Sequence, residues 1–142
     1  MIRAATARDL PALVRMAGDF IAATATGLPF DADYLDSSFR AMIAAPDRLV
    51  LVLDINGACG VLCAAAARSP WAPVAIASEM GFWIDPPHRG RWGLRLLHAY
   101  LDWARGMGCG RAGMVAFANN PLDRLYQKAG FRLSELTYDR VI

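Results

Sequence analysis

A loop rich in arginine and glycine is the clearest candidate site in the sequence. The segment DPPHRGRWG, residues 85–93, separates an apolar run from a segment with helical periodicity. The first turn of a helix presents unpaired N–H groups and a partial positive charge, which favour an anion. Glycine lets the backbone approach a ligand, and Arg89 and Arg91 add full charges. The pattern predicts a phosphate site; the alternative is a loop that only turns the chain.

A lone carboxylate interrupts the apolar run before this loop. Glu79 lies within AIASEMGFWI, residues 75–84. Burial of a charge is costly unless the side chain faces a wet cleft or a partner. Glu79 is therefore a candidate functional carboxylate, and the alternative is a solvent-facing position on a half-exposed strand.

The other reactive side chains form no metal or nucleophile motif. Cys59, Cys63 and Cys109 include no CxxC pair, which argues against a disulfide framework or a structural zinc site and favours reduced thiols. His98 and Asp102 are spaced i, i+4, as expected for a surface pair on a helix. No serine or cysteine motif indicates a covalent acyl-enzyme, and we expect no metal.

The composition is that of one folded domain, residues 1–142. Of the 142 residues 56% are hydrophobic and 20% charged, which excludes a disordered chain. The longest stretch without charge, residues 55–67, is shorter than the roughly 18 residues that a membrane helix needs. The first ten residues lack the layout of a secretory signal, so we expect a cytoplasmic protein without a membrane segment.

The positive charge is concentrated around the candidate loop. The net charge is only +2, but residues 85–111 hold five arginines against two carboxylates. Such a cationic centre suits a small anion such as a phosphate. It is too weak to indicate nucleic-acid binding, which usually needs a broad basic face.

Periodicity and turn residues predict an α+β fold with a mixed sheet. Thr6 and Asp9 form a capping box at the start of the first helix, and Asn56-Gly57 is typical of a hairpin turn. The predicted strands cover residues 2–4, 49–55, 58–67, 74–84, 112–118 and 131 onward. The helices after the first cover residues 33–45, 94–105 and 121–129.

Three segments together resemble the GNAT superfamily of acyl-CoA-dependent N-acyltransferases. They are IRAATARDLPAL, GFWIDPPHRGRWGLRLL and NNPLDRLYQKAGF, the last similar to the family's N-x-x-A-x-x-L-Y-x-x-x-G-F. The loop departs from the family's Q/R-x-x-G-x-G/A, because His88 takes the first position and Arg91 the middle glycine when Gly93 is the last. The resemblance, nearly end to end, implies a mostly antiparallel sheet of about six strands flanked by about four helices. A splayed parallel strand pair would form the CoA cleft.

The resemblance also implies which residues bind the acyl donor, acetyl-CoA. Backbone groups of Phe82, Trp83 and Ile84 would pair with the pantetheine arm, and one amide would polarise the thioester carbonyl. Asn119 would contact CoA; its alternative role is a helix cap, which Asn120 fills more naturally. The pyrophosphate would be held by His88, Arg89, Gly90, Arg91, Trp92, Gly93 and Leu94.

For catalysis the resemblance implies direct attack of a neutral amine on the thioester. Tyr126 matches the motif tyrosine and would protonate the departing thiolate; its alternative is a core aromatic on an amphipathic helix. Glu79 would be the base that accepts the amine proton, directly or through water. Asp85 and Glu135 are the other candidates for the base.

The acceptor is specified only as a small amine or a peptide. In the family the acceptor site is lined by the regions that correspond to residues 24–33 and 135–138. Asp31, Asp33 and Asp36 could attract a cationic amine or cap a helix. The short segment after Phe131 leaves an edge that a second subunit could complete, so a homodimer is our hypothesis. The functional alternatives are a CoA-binding regulatory module without turnover and a purely structural domain.

Overall fold

The sheet is built around an apolar hairpin. Strands β2 (Arg48–Asp54) and β3 (Ala58–Arg68) pair antiparallel, and their central side chains are buried. The turn between them places Asn56 and Gly57 at φ of 56° and 121°, so the hairpin expected from this dipeptide is confirmed.

Three further strands complete a five-stranded sheet in the order β1-β2-β3-β4-β5. Strand β1 (Ile2–Ala4) pairs antiparallel with β2, and β4 (Ala75–Ile84) pairs antiparallel with β3. The edge strand β5 (Cys109–Gly113) runs parallel to β4. The computed structural model describes residues 1–119 and 121–142, so the capping role considered for Asn120 lies outside the described residues.

Helices cover both faces of the sheet. Helices α1 (Leu10–Thr24) and α2 (Ala32–Ala44) pack on one face over a cluster that includes Leu13, Met16 and Val52. Helix α3 (Arg91–Gly106) packs on the other face over Leu53 and Leu62, and the short α4 (Asp123–Lys128) joins it there. The buried residues of α3 recur at helical spacing and therefore form one face that packs on the core: Gly93, Leu96, Leu97, Tyr100 and Ala104.

An ion-pair network ties the first strand to the first helix. Asp9 forms the expected capping box with Thr6 and also accepts two hydrogen bonds from the Arg3 guanidinium, at 2.8 and 2.9 Å. The same guanidinium donates to Asp54 at the end of β2 at 2.7 Å. The hydrogen bonds from Arg3 lower the pKa of Asp9, so the network favours the ionised carboxylate.

The structure corrects three boundaries drawn from the sequence. The strand expected over residues 112–118 is β5, which ends at Gly113, and α3 begins at Arg91 rather than at residue 94. Residues 131–142 form no strand, so the sheet has five strands rather than about six. Strand formation needs a neighbour for the backbone groups, and no backbone hydrogen bond joins residues 132–142 to the rest of the described chain.

Candidate active site

The parallel strands β4 and β5 separate halfway along β4. Their pairing ends at Ser78 opposite Gly113, whereas β4 continues to Ile84. A β-bulge helps to turn β4 at this point, because Glu79 pairs with Ala64 and Gly81 with the adjacent Cys63, which leaves Met80 as the extra residue. A cleft therefore opens between the two strands, and Glu79 lies where it begins.

Side chains satisfy the backbone groups that the separation leaves without a strand partner. The Tyr100 hydroxyl of α3 donates to the Gly113 carbonyl at 2.9 Å. Two residues further on, the Val115 N–H donates to Glu79 Oε2 at 2.9 Å, and the Val115 carbonyl accepts from the Tyr126 hydroxyl at 2.5 Å. The separation is thus held in place by specific hydrogen bonds with side chains of β4, α3 and α4.

Glu79 is a carboxylate whose pKa is shifted by its surroundings. Its carboxylate lies in a half-buried site, and burial raises its pKa from 4.5 to about 7, against the smaller opposite effect of the Val115 N–H. A base is most effective when its pKa lies near the working pH. Burial of the carboxylate favours the cleft-facing expectation over the solvent-facing one, whereas the Met80 side chain beside it is exposed.

Tyr126 is both a core aromatic and a member of this site. Its ring is 8% exposed and lies 6.1 Å from that of Phe131, while its hydroxyl reaches Val115. Burial, and then the charge of Glu79, raise the pKa of Tyr126 above its ordinary value. The hydroxyl therefore keeps its proton at neutral pH, as a proton donor must.

The C-terminal half of β4, beyond its pairing with β5, has one edge whose backbone groups have no strand partner. Asp85 N–H donates to the Cys59 carbonyl, and in an antiparallel pair the bonded positions alternate, so the backbone groups of Trp83 also face β3. Those of Phe82 and Ile84 face the cleft. The Ile84 carbonyl already accepts from Arg89 Nε at 2.9 Å.

The first turn of α3 exposes a small set of amides. Gly90, at φ 107° and ψ −123°, precedes the helix in a conformation that favours glycine. The amides of His88, Arg89 and Gly93 donate to carbonyls of the turn itself. Arg91 and Trp92 precede the first intrahelical bond, so their amides have no partner within the helix.

Arginine side chains of the loop and of α3 stack on the indole rings of two tryptophans. The Arg89 guanidinium lies 4.8 Å from the centroid of the Trp83 ring, and those of Arg91 and Arg95 lie 5.4 and 4.9 Å from that of Trp92. The Trp92 indole packs against the α3-side core. It lines neither of the two cavities described below.

The remaining candidates for the base are placed differently. Asp85 accepts two hydrogen bonds from Arg15, at 3.1 and 2.7 Å, and one from the Trp83 indole at 3.0 Å. Desolvation alone would raise the pKa of Asp85, but these bonds outweigh it and lower the pKa. Asp85 is therefore a poor base at neutral pH. Glu135 is exposed in the C-terminal segment.

Two cavities lie at the cleft. The smaller, about 30 Å³, is bounded mainly by aromatic side chains and by Glu79 and Val115. The larger, about 510 Å³, lies along β5 and residues 131–137. Asn119 is exposed in a turn and lines neither cavity.

The acidic cluster and the other reactive residues have structural roles. Asp31 caps α2 by accepting from the Tyr34 amide at 2.9 Å, and Asp36 pairs with Arg40 at 2.7 Å, so the capping alternative holds for Asp31. Asp102 pairs with Arg105 at 2.8 Å, where a pair with His98 was predicted. The thiols are unpaired, and burial raises the pKa of Cys63 to about 12.

Sequence reasoning missed three contributors to the site. Val115 acts only through its backbone, so its side chain gives no signal. Phe20 of α1 and Phe117 meet edge to face with centroids 5.6 Å apart and line the small cavity, although nothing in their sequence context marks them. Within residues 1–119 and 121–142, no group of three His, Cys, Asp or Glu side chains could hold a metal, and no helix could span a membrane.

Comparison with known families agrees with this fold. The model of the acetyltransferase (GNAT) family matches residues 20–131. Because this match covers most of the chain, the protein belongs to the GNAT acetyltransferase family, and its α+β fold is that of the family. The family assignment supports an acyltransferase, and the family generally uses acetyl-CoA. No curated protein matches the sequence.

Solved structures share the fold at low sequence identity. A transcriptional regulator from Bacillus halodurans has a TM-score of 0.86 at 19% identity, with 100% of this chain and 99% of that chain covered. A putative acetyltransferase from Agrobacterium tumefaciens has a TM-score of 0.81 at 18% identity, with the same coverage. Glucosamine-6-phosphate N-acetyltransferase from Arabidopsis thaliana has a TM-score of 0.80 at 16% identity, with 99% and 97% covered.

Proposed function

We propose that the protein transfers an acetyl group from acetyl-CoA to a primary amine by direct attack. One observation carries the proposal: a carboxylate with a pKa near 7 and a protonated tyrosine hydroxyl bond the N–H and the C=O of one residue, Val115, where β4 and β5 separate. Amine acylation needs a proton acceptor and a proton donor at one carbonyl. Glu79 and Tyr126 supply both.

Acetyl-CoA would lie along the free edge of β4. Backbone groups of Phe82 and Ile84 would pair with the pantetheine amides as an added strand would, whereas Trp83 contributes its ring to the cleft wall. The amides of Gly90, Arg91 and Trp92 would bind the pyrophosphate at the start of α3. The other predicted contacts to acetyl-CoA stay predictions, because their amides are engaged or their side chains lie outside the cleft. They are His88, Arg89, Gly93, Leu94 and Asn119.

The reaction would proceed in one displacement. Glu79 accepts a proton from the ammonium group and leaves a neutral amine. The amine nitrogen bonds to the thioester carbonyl carbon, and an amide on the β4 edge stabilises the developing oxyanion. The C–S bond breaks, and the Tyr126 hydroxyl, after rotating away from Val115, protonates the thiolate. The second proton that the nitrogen loses on forming the amide restores the Tyr126 hydroxyl. The products are an amide, CoA thiol and one proton released to solvent through Glu79.

Support for the donor comes from the family and from one neighbour. A predicted acetyltransferase from Clostridium acetobutylicum, whose structure was solved with acetyl-CoA, matches at a TM-score of 0.81 and 16% identity. The Trp92 ring packs against the α3-side core and lines neither cavity, which supports loop amides that are free to bind. The Arg/Gly loop would thus keep its binding groups despite its departures from the family pattern.

Two measurements separate this function from its alternatives. Binding to the folded state raises the melting temperature by mass action. A thermal-shift titration with acetyl-CoA therefore excludes a purely structural domain if it stabilises the protein. Mass spectrometry of an amine panel then detects N-acetyl product; binding without product would favour the CoA-binding regulatory module.

The single domain over residues 1–142 and the cytoplasmic location stay predictions. A homodimer is proposed on structural grounds. Strand β5 is a sheet edge, and the adjacent C-terminal segment exposes Leu136, Tyr138 and Val141 by 73%, 92% and 91%. If this segment paired with the β5 edge of a second copy, the edge would gain hydrogen-bond partners and the exposed apolar side chains would be buried. Sedimentation at micromolar concentration should give the dimer mass, and a monomer there would refute the pairing.

A further inference from the structure

Tyr100 of α3 carries a polar group into the apolar core. Its side chain is fully buried in the α3-side cluster, and its ring stacks on that of Trp103 with centroids 6.4 Å apart. Burial of a hydroxyl is costly unless it is hydrogen-bonded, and phenylalanine would fill nearly the same space without that cost. The hydroxyl donates to the Gly113 carbonyl of β5 at 2.9 Å. This contact therefore needs an explanation beyond packing.

The Tyr100 contact lies where β4 and β5 separate. Gly113 is the last residue of β5 that pairs with β4. Val115, two residues further on, forms no backbone–backbone hydrogen bond with the rest of the described chain. Its N–H donates to Glu79 Oε2, and its carbonyl accepts from the Tyr126 hydroxyl. Because strand pairing ends at Gly113, the Tyr100 bond is the one that fixes the end of β5 just before Val115.

The position of Val115 matters because its N–H is bonded to the carboxylate of Glu79. This N–H favours the ionised carboxylate and lowers the pKa of Glu79, against the larger rise that burial causes. The Tyr100 bond and this bond lie two residues apart, about 7 Å along an extended chain. If the bond at Gly113 is lost, the segment 113–115 gains freedom and its N–H spends less time on the carboxylate. The charged form of Glu79 then loses stabilisation.

Several other titratable groups face Glu79, and within the described chain none of them hydrogen-bonds its carboxylate. They are Cys63 on β3, Tyr100 on α3, Tyr126 and Asp123 on α4, and Arg132 and Glu135 of the C-terminal segment. From α1 the small cavity is lined by Phe20 and Thr24, which carry no titratable group. Removal of the Tyr100 hydroxyl alone leaves the other groups in place. A change in the pKa of Glu79 would therefore report on the segment that Tyr100 holds.

We infer that Tyr100 is a positioning residue for the proposed base: its hydroxyl holds the end of β5 so that the Val115 N–H meets the Glu79 carboxylate. Tyr100 lines neither cavity and acts through the backbone of residues 113–115. For its role in the reaction the inference rests on the proposed acyl transfer, whereas the contact itself can be measured without turnover.

The chain allows a direct measurement because it has two glutamates, Glu79 and Glu135. Full-length protein labelled with carbon-13 at the glutamate carboxyl gives one NMR signal for each, and Glu135→Gln identifies them. Tyr100→Phe keeps the ring in the core, and water can reach the exposed Gly113 in place of the hydroxyl, so the variant should fold. In this variant the pKa of Glu79 should rise by about 1 from about 7, as for one hydrogen bond lost to a charged group.

Two control variants separate positioning from general loosening. Tyr34→Phe removes a hydroxyl from a side chain that is 70% exposed, and Val52→Ala weakens the core under α1 and α2. Both should leave the pKa of Glu79 unchanged, although Val52→Ala lowers the urea midpoint. In Tyr100→Phe the acid limb of the kcat/KM profile should move to higher pH by the same amount as the NMR titration, while the KM for acetyl-CoA stays that of wild type.

The outcomes distinguish the positioning role from the proposed function. An unchanged or lower pKa of Glu79 in Tyr100→Phe, with a native circular-dichroism spectrum, would overturn the positioning role and leave acyl transfer standing. An equal rise in Val52→Ala would also overturn it, because the effect would then be general loosening. If the pKa rises in Tyr100→Phe alone but the wild type acetylates no amine, the positioning of the carboxylate is supported and acyl transfer alone fails.

Discussion

Replacement of Glu79 by glutamine should make the protein more stable, and only above about pH 5. Burial raises the pKa of Glu79 from 4.5 to about 7 in the folded state. Between these two values the folded protein keeps a proton that the unfolded chain releases. The free energy of unfolding contributed by this group therefore falls as the pH rises through the window, the reverse of the usual behaviour of a salt-bridged carboxylate.

The magnitude follows from the two pKa values. A difference of about 2.5 in pKa, at about 1.36 kcal/mol for each unit, corresponds to a cost of about 3 kcal/mol above pH 7. This is an upper bound, because the carboxylate is only half-buried and water relaxes around it. Glutamine is almost isosteric, and its amide oxygen can still accept the Val115 N–H. The change thus removes the charge and keeps the hydrogen bond.

The assay is urea unfolding of the wild type, Glu79→Gln and Glu135→Gln from about pH 5 to about pH 8. Relative to wild type, Glu79→Gln should gain less than about 1 kcal/mol at the acid end and about 2–3 kcal/mol at the alkaline end. Glu135→Gln removes the chain's other glutamate, which is exposed, and should show no such rise.

Two results would refute the reasoning. A stability difference between Glu79→Gln and wild type that stays constant with pH would mean that the carboxylate titrates at its ordinary value. A loss of stability at alkaline pH would mean that the charge is favourable where it lies. Either result would also remove the physical basis for Glu79 as a base near neutral pH.

Three further predictions follow from the same contacts. The kcat/KM of the wild type should fall about tenfold per pH unit below the Glu79 pKa of about 7, and a flat profile from pH 5 to 8 would exclude Glu79 as the base. Tyr126→Phe should lower kcat about a hundredfold or more, and full turnover would contradict the acid role. Loss of the bond to the Val115 carbonyl should cost only about 0.5–1.5 kcal/mol in urea unfolding, because Val115 is exposed and water can replace the hydroxyl. Gly90→Ala should weaken acetyl-CoA binding in calorimetry and cost about 1–3 kcal/mol of stability, because its φ of 107° strains any side chain, whereas unchanged affinity would move the pyrophosphate elsewhere.

The sequence predicts those parts of the fold that depend on neighbours along the chain. The Asn56-Gly57 turn and the Thr6–Asp9 capping box are local, and both are confirmed. The end of β5 is not local, because it depends on where β4 bends away and on the Tyr100 hydroxyl that bonds Gly113. A strand prediction from residues 112–118 alone could not detect that separation.

Some residues of the candidate site can be predicted from the sequence and others cannot. Glu79 can be predicted because a charge within an apolar strand needs an explanation, and Tyr126 because it lies in a family motif. Val115 cannot be predicted, because it bonds Glu79 across 36 positions and uses only its backbone. Phe117 cannot be predicted as a site residue either, because its position at the cleft depends on the fold that brings Phe20 of α1 beside it.

The central claim is that Glu79 and Tyr126, held on the two sides of the Val115 peptide, act together on a thioester in the cleft between β4 and β5. The most direct measurement is the mass-spectrometric rate of CoA thiol release from acetyl-CoA, with and without the amines of the panel, for the wild type, Glu79→Gln and Tyr126→Phe. We predict release that depends on the amine in the wild type and is lost in both variants, while acetyl-CoA still stabilises all three proteins against heat. Release at the same rate in the three proteins, or none in any of them, would contradict the claim.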